Sequence, residues 1–224
     1  MKNKIVVITG ASSGIGRATA LEFAKEGNRL LLTYNKHKNE AEKVADEVKE
    51  LGASDVRFFH LDITSDESLK NFAEAIKKAG GADVLVNNAG VNVRKKLEDQ
   101  SFDEIELQMK TNLLELIKLT KELLPLIRES IINISSGLGK QGMQMESVYS
   151  ATKFGVRGFT QSIAEEYPSL YIVSVNPDTT KTPMTEFHGR PPEDVARAIV
   201  RAAKREYKVP SGGDIDIWMV YRNT

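Results

Sequence analysis

The chain has 224 residues, with 31 basic and 31 acidic side chains and no cysteine. That length suits one α/β domain with its own core, and the missing cysteines exclude disulfides and thiolate metal sites and fit a reducing, cytoplasmic setting. Balanced charge gives no global pull toward nucleic acid or anionic membranes, and no apolar run approaches the roughly 18 residues of a membrane span. The opening "MKNKIVVITG" offers four apolar residues before a turn, too few for a signal peptide. "KIVVIT" (4–9) reads as a first strand, followed by a glycine-rich turn and a helix in "RATALEFAKEG" that stops at Gly27. Then come strand "RLLLTY", the charged helix "NEAEKVADEVKELG", strand "DVRFFHLD", a helix from about Asp66 to Ala79, and strand "ADVLVNNAG". A long helix is expected from about Phe102 to Ile127, then strand "SIINISS", a helix containing "ESVYSATKFGVRG" that ends near Pro168, and strand "LYIVSVNP". A helix in "RPPEDVARAIVRAAKREY" and a last strand candidate, "DIDIWMVY", complete the chain.

Short, nearly wholly apolar strands alternating with amphipathic helices predict a Rossmann-like, doubly wound parallel sheet of about seven strands with helices on both faces. No repeat or linker divides the chain, so residues 1–224 are expected to form a single domain. The most loop-like region is "NPDTTKTPMTEFHGRPP", with four prolines and no clear period, and such a loop in a single domain is more often functional than idle.

Three stretches carry chemistry. "TGASSGIG" places Gly10, Gly14 and Gly16 between the first strand and first helix, where free N–H groups and the helix dipole favour a phosphate. Its spacing is G-x-x-x-G-x-G, not the G-x-G-x-x-G fingerprint. Tyr149 and Lys153 lie one turn apart on one helix face, so both can reach one substrate, and a nearby ammonium is expected to lower the phenol's pKa. Spacing alone proves little, and by itself favours a packed tyrosine beside a solvated lysine. His37, His60 and His188 lack ligand spacing, so no metal site is assigned.

Taken together, "TGASSGIG", "NNAG" (87–90), "NISS" (133–136), Tyr149-x-x-x-Lys153 and "NP" (176–177) resemble, in order and spacing, the short-chain dehydrogenases/reductases over about residues 4–183. The resemblance implies a nicotinamide-dependent oxidoreductase acting on a small carbonyl or alcohol. It implies Tyr149 as general acid or base, Ser136 holding the reacting oxygen with Ser135 as fallback, Lys153 tuning Tyr149 and gripping the ribose, and Asn112 leading a proton relay, with a buried amide bonded to neighbouring backbone as the alternative for Asn112. A cofactor would rest on Gly10, Ser12, Ser13, Gly14, Ile15, Gly16, Asp62, Ile63, Asn88, Ala89, Gly90, Tyr149, Lys153, Pro177, Thr180 and Thr182. Asp62 is equally a helix cap in "DITSDES". Where NAD enzymes place an acid after the second strand, this chain has Tyr34, Asn35 and Lys36, so NADP(H) is favoured and NAD(H) is the second candidate. Ser13 stands where many NADP-preferring relatives carry a base.

Other departures matter. Pro177-Asp178 replaces the family's common Pro-Gly, the loop at about 177–192 is short, and the C-terminal segment lacks the usual glycine-rich ending of one tetramer interface. The long helix is apolar on more than one side, so a homodimer or homotetramer is expected. Two alternatives remain at this point: a non-catalytic nucleotide sensor or scaffold on the same fold, and a Rossmann-like methyltransferase. Neither needs Tyr-x-x-x-Lys. A sugar, short ketone, 3-oxoacyl thioester or hydroxy amino acid substrate would each be consistent.

Overall fold

The structure, a computed structural model, describes residues 1–221; residues 222–224, the end of the expected domain and C-terminal segment, lie outside the described residues. The strands are β1 (Ile5–Ile8), β2 (Arg29–Tyr34), β3 (Asp55–His60), β4 (Ala82–Asn87), β5 (Ile127–Ile134), β6 (Tyr171–Asn176) and β7 (Asp214–Asp216). The helices are α1 (Gly14–Ala24), α2 (Lys38–Glu50), α3 (Asp66–Lys78), α4 (Phe102–Met109), α5 (Glu115–Leu123), α6 (Ser147–Glu166), α7 (Pro192–Ala203) and α8 (Ile217–Val220). All seven strands pair in parallel in the order β3-β2-β1-β4-β5-β6-β7. The order reverses between β1 and β4, and ligands of open α/β sheets bind at that switch point, beyond the strand ends.

Strand alternation divides the core in two. Val6, Ile8, Leu30, Leu32, Val173 and Val175 face one cluster with Phe23 of α1, Val48 of α2 and Ile199 of α7. Val7, Leu31, Ile131 and Ile172 face the other, against Leu69 and Ile76 of α3, Leu119 of α5 and Ile163 of α6. One polar layer crosses the second half of the sheet. Asn87 and Asn133 are register partners on β4 and β5, and the Asn87 amide donates to Asn133 Oδ1 (2.8 Å) and Thr120 Oγ1 (2.9 Å). Asn133 Nδ2 donates in turn to Thr160 Oγ1 (2.9 Å) on α6.

Two elements differ from the sequence expectation. The helix expected over 102–127 is interrupted by a π turn at Lys110–Leu114, and past α5 a short 3₁₀ turn containing Pro125 hands the chain to β5 at Ile127. The π turn is where Leu113 meets Gly155 so closely that a Cβ there would lie 2.7 Å from Leu113 Cδ2. The "DIDIWMVY" strand ends at Asp216 and continues as α8. Its ladder partner β6 stops at Asn176, and Pro177 that follows has no N–H to extend the ladder.

Candidate active site

The turn between β1 and α1 is shaped by backbone constraints. Gly10 and Gly14 have φ of 64° and 54°, and a Cβ on Gly16 would lie 2.3 Å from the Gly10 carbonyl oxygen and 2.5 Å from Asn88 Nδ2. Only glycine fits. Ser13 occupies the α1 N-cap position, but its side chain caps no N–H, so the first turn of the helix presents donors and a positive dipole end. Ser12 and Ile15 are half-buried beside it and Ser13 is exposed. Thr9 ties this turn to the "NNAG" segment: Asn88 N–H and Ala89 N–H both donate to Thr9 Oγ1 at 3.0 Å, while Asn88 Nδ2 donates to the Thr9 carbonyl at 2.9 Å. The donor set and the close approach across Gly16 fit a pyrophosphate.

One strand further, β5 is followed directly by the two serines. Ser135 is buried and its hydroxyl donates to the Lys153 carbonyl at 2.9 Å. Ser136 points the other way, toward the Tyr149 hydroxyl, and accepts from Leu138 N–H at 3.1 Å. Tyr149 and Lys153 are both buried on α6, with Lys153 Nζ 5.6 Å from the Tyr149 ring centroid. Nζ donates to the Ile134 carbonyl at 2.9 Å. Asn112, at the centre of the π turn, is fully buried, and such turns often reset a functional side chain. Its amide brackets Val91, accepting from Val91 N–H and donating to the Val91 carbonyl, both at 2.8 Å, and it also donates to Thr152 Oγ1 at 3.2 Å. Gly90 sits between: a Cβ there would be 3.3 Å from Asn112 Oδ1 and 3.7 Å from Lys153 Nζ. Ser136, Tyr149, Lys153 and Asn112 are thus gathered beside the "NNAG" turn.

The electrostatics depart from expectation. Tyr149 is pushed up to about 12, not lowered, because burial of the phenol outweighs the hydrogen bond with Ser136 and the Glu146 carboxylate adds to the rise. Burial likewise brings Lys153 down to about 8, since its oxygen partner is a neutral carbonyl.

At the far end of the sheet, Tyr34 closes β2 and packs edge-on to His60 (5.6 Å), while Asn35 and Lys36 are exposed. Asp62 is not the helix cap. Ser65 caps α3 by accepting from Ser68 N–H, and Asp62 instead accepts from Thr64 N–H (3.0 Å) and Thr64 Oγ1 (2.8 Å). Those two bonds, with help from His60 and Lys36, hold the Asp62 carboxyl below the usual range. Ile63 beside it is buried. Beyond β6, the buried Pro177 carbonyl accepts from Gly137 N–H (2.8 Å), Thr180 and Thr182 are buried, and Thr182 Cγ2 would lie 3.2 Å from a Cβ on Gly14. The loop after β6 therefore packs onto the glycine turn.

Sequence reasoning missed Thr9, Thr152 and Glu146. Glu146 is buried three residues before Tyr149, accepting from Asn92 Nδ2 at 2.9 Å and lying 3.5 Å from Arg94. Its place one turn before the tyrosine was the available signal.

Residues 4–192 match the family model described as short chain dehydrogenase. An uncharacterized oxidoreductase of Bacillus subtilis (strain 168) is 36% identical over 193 residues, covering 83% of this chain and 70% of that protein. A 3-oxoacyl-[acyl-carrier-protein] reductase of Staphylococcus epidermidis is 35% identical over 171 residues, covering 75% of this chain and 70% of its own length. A solved short chain dehydrogenase structure from Shigella flexneri 2a, complexed with NADP, superposes with a TM-score of 0.90 at 26% identity over 97% of this chain and 98% of that one. A match that runs from β1 to the first residue of α7 and takes in the glycine turn, both β5 serines and the Tyr149–Lys153 pair has one conclusion: the chain belongs to the short chain dehydrogenase family and is an NAD(P)-dependent oxidoreductase.

Proposed function

We propose that this chain is a single-domain, NADP(H)-dependent carbonyl reductase or alcohol dehydrogenase for a small substrate, working through Ser136, Tyr149, Lys153 and Asn112. The observation that carries this is the gathering of half-buried Ser136 with buried Tyr149 and Lys153 beside the "NNAG" turn. A nucleotide sensor would need the turn but not that set.

When bound, the nicotinamide supplies or accepts the hydride. The glycine turn with Gly10, Ser12, Ser13, Gly14, Ile15 and Gly16 would take the pyrophosphate, Asp62 and Ile63 the adenine, and Asn88, Ala89 and Gly90 its ribose. Pro177, Thr180 and Thr182 would close over the nicotinamide end. In reduction, Tyr149 passes its phenolic proton to the carbonyl oxygen while Ser136 donates a hydrogen bond to the same atom. Raised by burial, the phenol stays protonated at neutral pH, as a proton donor must. Lys153 stabilises the phenolate left behind. Asn112 locks Val91, which follows the Gly90 that lies beside Lys153, and stands where a proton relay to solvent would begin.

The 2′-phosphate preference rests on Asn35 and Lys36, exposed with no carboxylate before Glu40. The partner molecule is a small carbonyl or alcohol, and the chain acts in the cytoplasm as a homodimer or homotetramer. Support for assembly is the exposed apolar side chains along α4, the π turn and α6: Phe102 (86% exposed), Leu107, Leu114 and Phe154. Among the described residues no helix is long and apolar enough to cross a membrane.

The test is steady-state oxidation of NADPH and NADH in parallel across aldehydes, ketones and oxoesters, with Tyr149→Phe as control. Turnover lost in the variant with dinucleotide binding retained is the expected outcome. Equal turnover in Tyr149→Phe would sink the mechanism, and a preference for NADH would sink the cofactor assignment.

A further inference from the structure

The segment between β6 and α7 is a closed loop with a tied neck. In the backbone, Arg190 N–H donates to the Thr179 carbonyl and Lys181 N–H donates to the Arg190 carbonyl, both at 2.8 Å. Gly189 makes the approach feasible: its φ is 106° and a Cβ there would lie 2.0 Å from the Thr179 oxygen. The side chains tie the same neck more firmly. Arg190 Nε donates to Asp178 Oδ1 at 2.9 Å and Oδ2 at 3.2 Å, and Arg190 Nη2 donates to Oδ2 at 2.8 Å. The guanidinium also lies 3.6 Å from Asp194 in the first turn of α7 and 5.2 Å from the Tyr221 ring. Arg190 therefore joins the loop's entry to the helix that follows it.

Inside the neck, the Thr185 hydroxyl accepts from Thr182 N–H at 3.2 Å and lies within hydrogen-bond reach of the Thr182 and His188 carbonyls. Glu186 and Phe187 hold left-handed φ of 50° and 61°, an uncommon backbone that persists only where its surroundings enforce it. This small knot presents Thr182 to Gly14 and, through the Pro177 carbonyl, the loop base to Gly137 beside Ser136.

We propose that the Asp178–Arg190 pair is a positioning clamp that sets the loop over the glycine turn before the dinucleotide arrives. The inference rests on the assignment of Thr180 and Thr182 to the cofactor. A lone carboxylate at the mouth of a site for a polyanion would repel it. The two-pronged guanidinium engages both Asp178 oxygens, so the negative charge is cancelled and used for geometry. A loop already in place loses less conformational freedom on binding, which strengthens affinity without adding a contact. Asp178 and Arg190 are positioning residues: they act through the threonines.

The test combines NADPH titration by fluorescence with tryptic cleavage after Lys181, an exposed loop residue followed by Thr182, in the free protein. Asp178→Asn and Arg190→Gln should each weaken NADPH binding by about fivefold to tenfold. Both should speed cleavage at Lys181, and the double variant should bind no worse than either single one. The kcat at saturating dinucleotide should change less than the dinucleotide KM. Arg190→Lys keeps the charge but not the fork, and covers the case in which Arg190→Gln does not fold; it should fall between wild type and Asp178→Asn. If Thr182→Val weakens binding while the Asp178 and Arg190 variants bind and are cleaved like wild type, the clamp is wrong and the cofactor assignment stands. If Thr182→Val binds like wild type, the assignment of the loop fails first. Additive losses in the double variant would also overturn the clamp.

Discussion

Lys153→Met should make the protein more stable while abolishing its turnover. The wild-type ammonium is buried, and its fall from 10.5 to about 8 means that the folded state disfavours the charged form by about 3 kcal/mol. Methionine fills a similar volume with no charge, at the loss of the bond to the Ile134 carbonyl, which is worth about 1 to 2 kcal/mol. The net gain at pH 7 is about 1 to 2 kcal/mol. Its pH dependence has a definite sign. Between about pH 8 and 10.5 the unfolded chain still holds the lysine proton that the folded chain has released, so wild-type stability from this group rises with pH across that window. The advantage of the variant should therefore be full below pH 8, shrink through the window and reverse above it, where only the lost hydrogen bond counts. Urea unfolding of both proteins at several pH values from 6 to about 11 measures this difference, with other titrating groups cancelling. A gap constant in pH, or a variant less stable at pH 7, would refute the assignment of Lys153 as a desolvated cation.

Glu146→Gln removes the carboxylate that adds to the burial-driven rise of Tyr149, so the phenol should ionise at lower pH. In alcohol oxidation, where Tyr149 accepts the proton, the rising limb of kcat/KM should move to lower pH; a limb that stays in place or moves up removes Glu146 from the account. Gly16→Ala puts a methyl into the Gly10 carbonyl, so NADPH binding should weaken about tenfold or more, and wild-type affinity in a fluorescence titration would show that the turn has room to relax. Asn112→Ala leaves the Val91 N–H and carbonyl without their side-chain partner and should cost about 2 to 4 kcal/mol in urea unfolding; an unchanged midpoint would mean that water replaces the amide freely.

Much of the fold was legible because its signals are local. "RLLLTY" is β2 residue for residue, and the strand–helix alternation predicted the parallel sheet and both covered faces. The gathering of Ser136, Tyr149 and Lys153 followed from motif order. What escaped depends on partners distant in sequence. The break at Lys110–Leu114 answers to Val91, Thr152 and Gly155, and the end of β7 to a proline in another strand's continuation. The direction of the Tyr149 shift needed the depth of α6 in the protein, because helical spacing gives the nearness of Lys153 but not the dielectric around either group. The sequence left open whether Asp62 caps α3 as well as facing a cofactor, because the path of the backbone into the helix, which selects Ser65, is not written in the local composition.

The Asn87–Asn133 pair has a consequence for how finely this enzyme is aligned. β4 and β5 carry apolar residues on both faces, so polarity alone distinguishes one height from the next only weakly. Two amides that meet at one offset act as an index mark, because a slide along the strand would break the bond between them in the dry interior. Asn87 is followed directly by Asn88–Gly90, and Asn133 by Ile134 and the two serines. One hydrogen bond in the dry interior thus gauges how far the Ser136 hydroxyl stands from the turn where Gly90 meets Lys153.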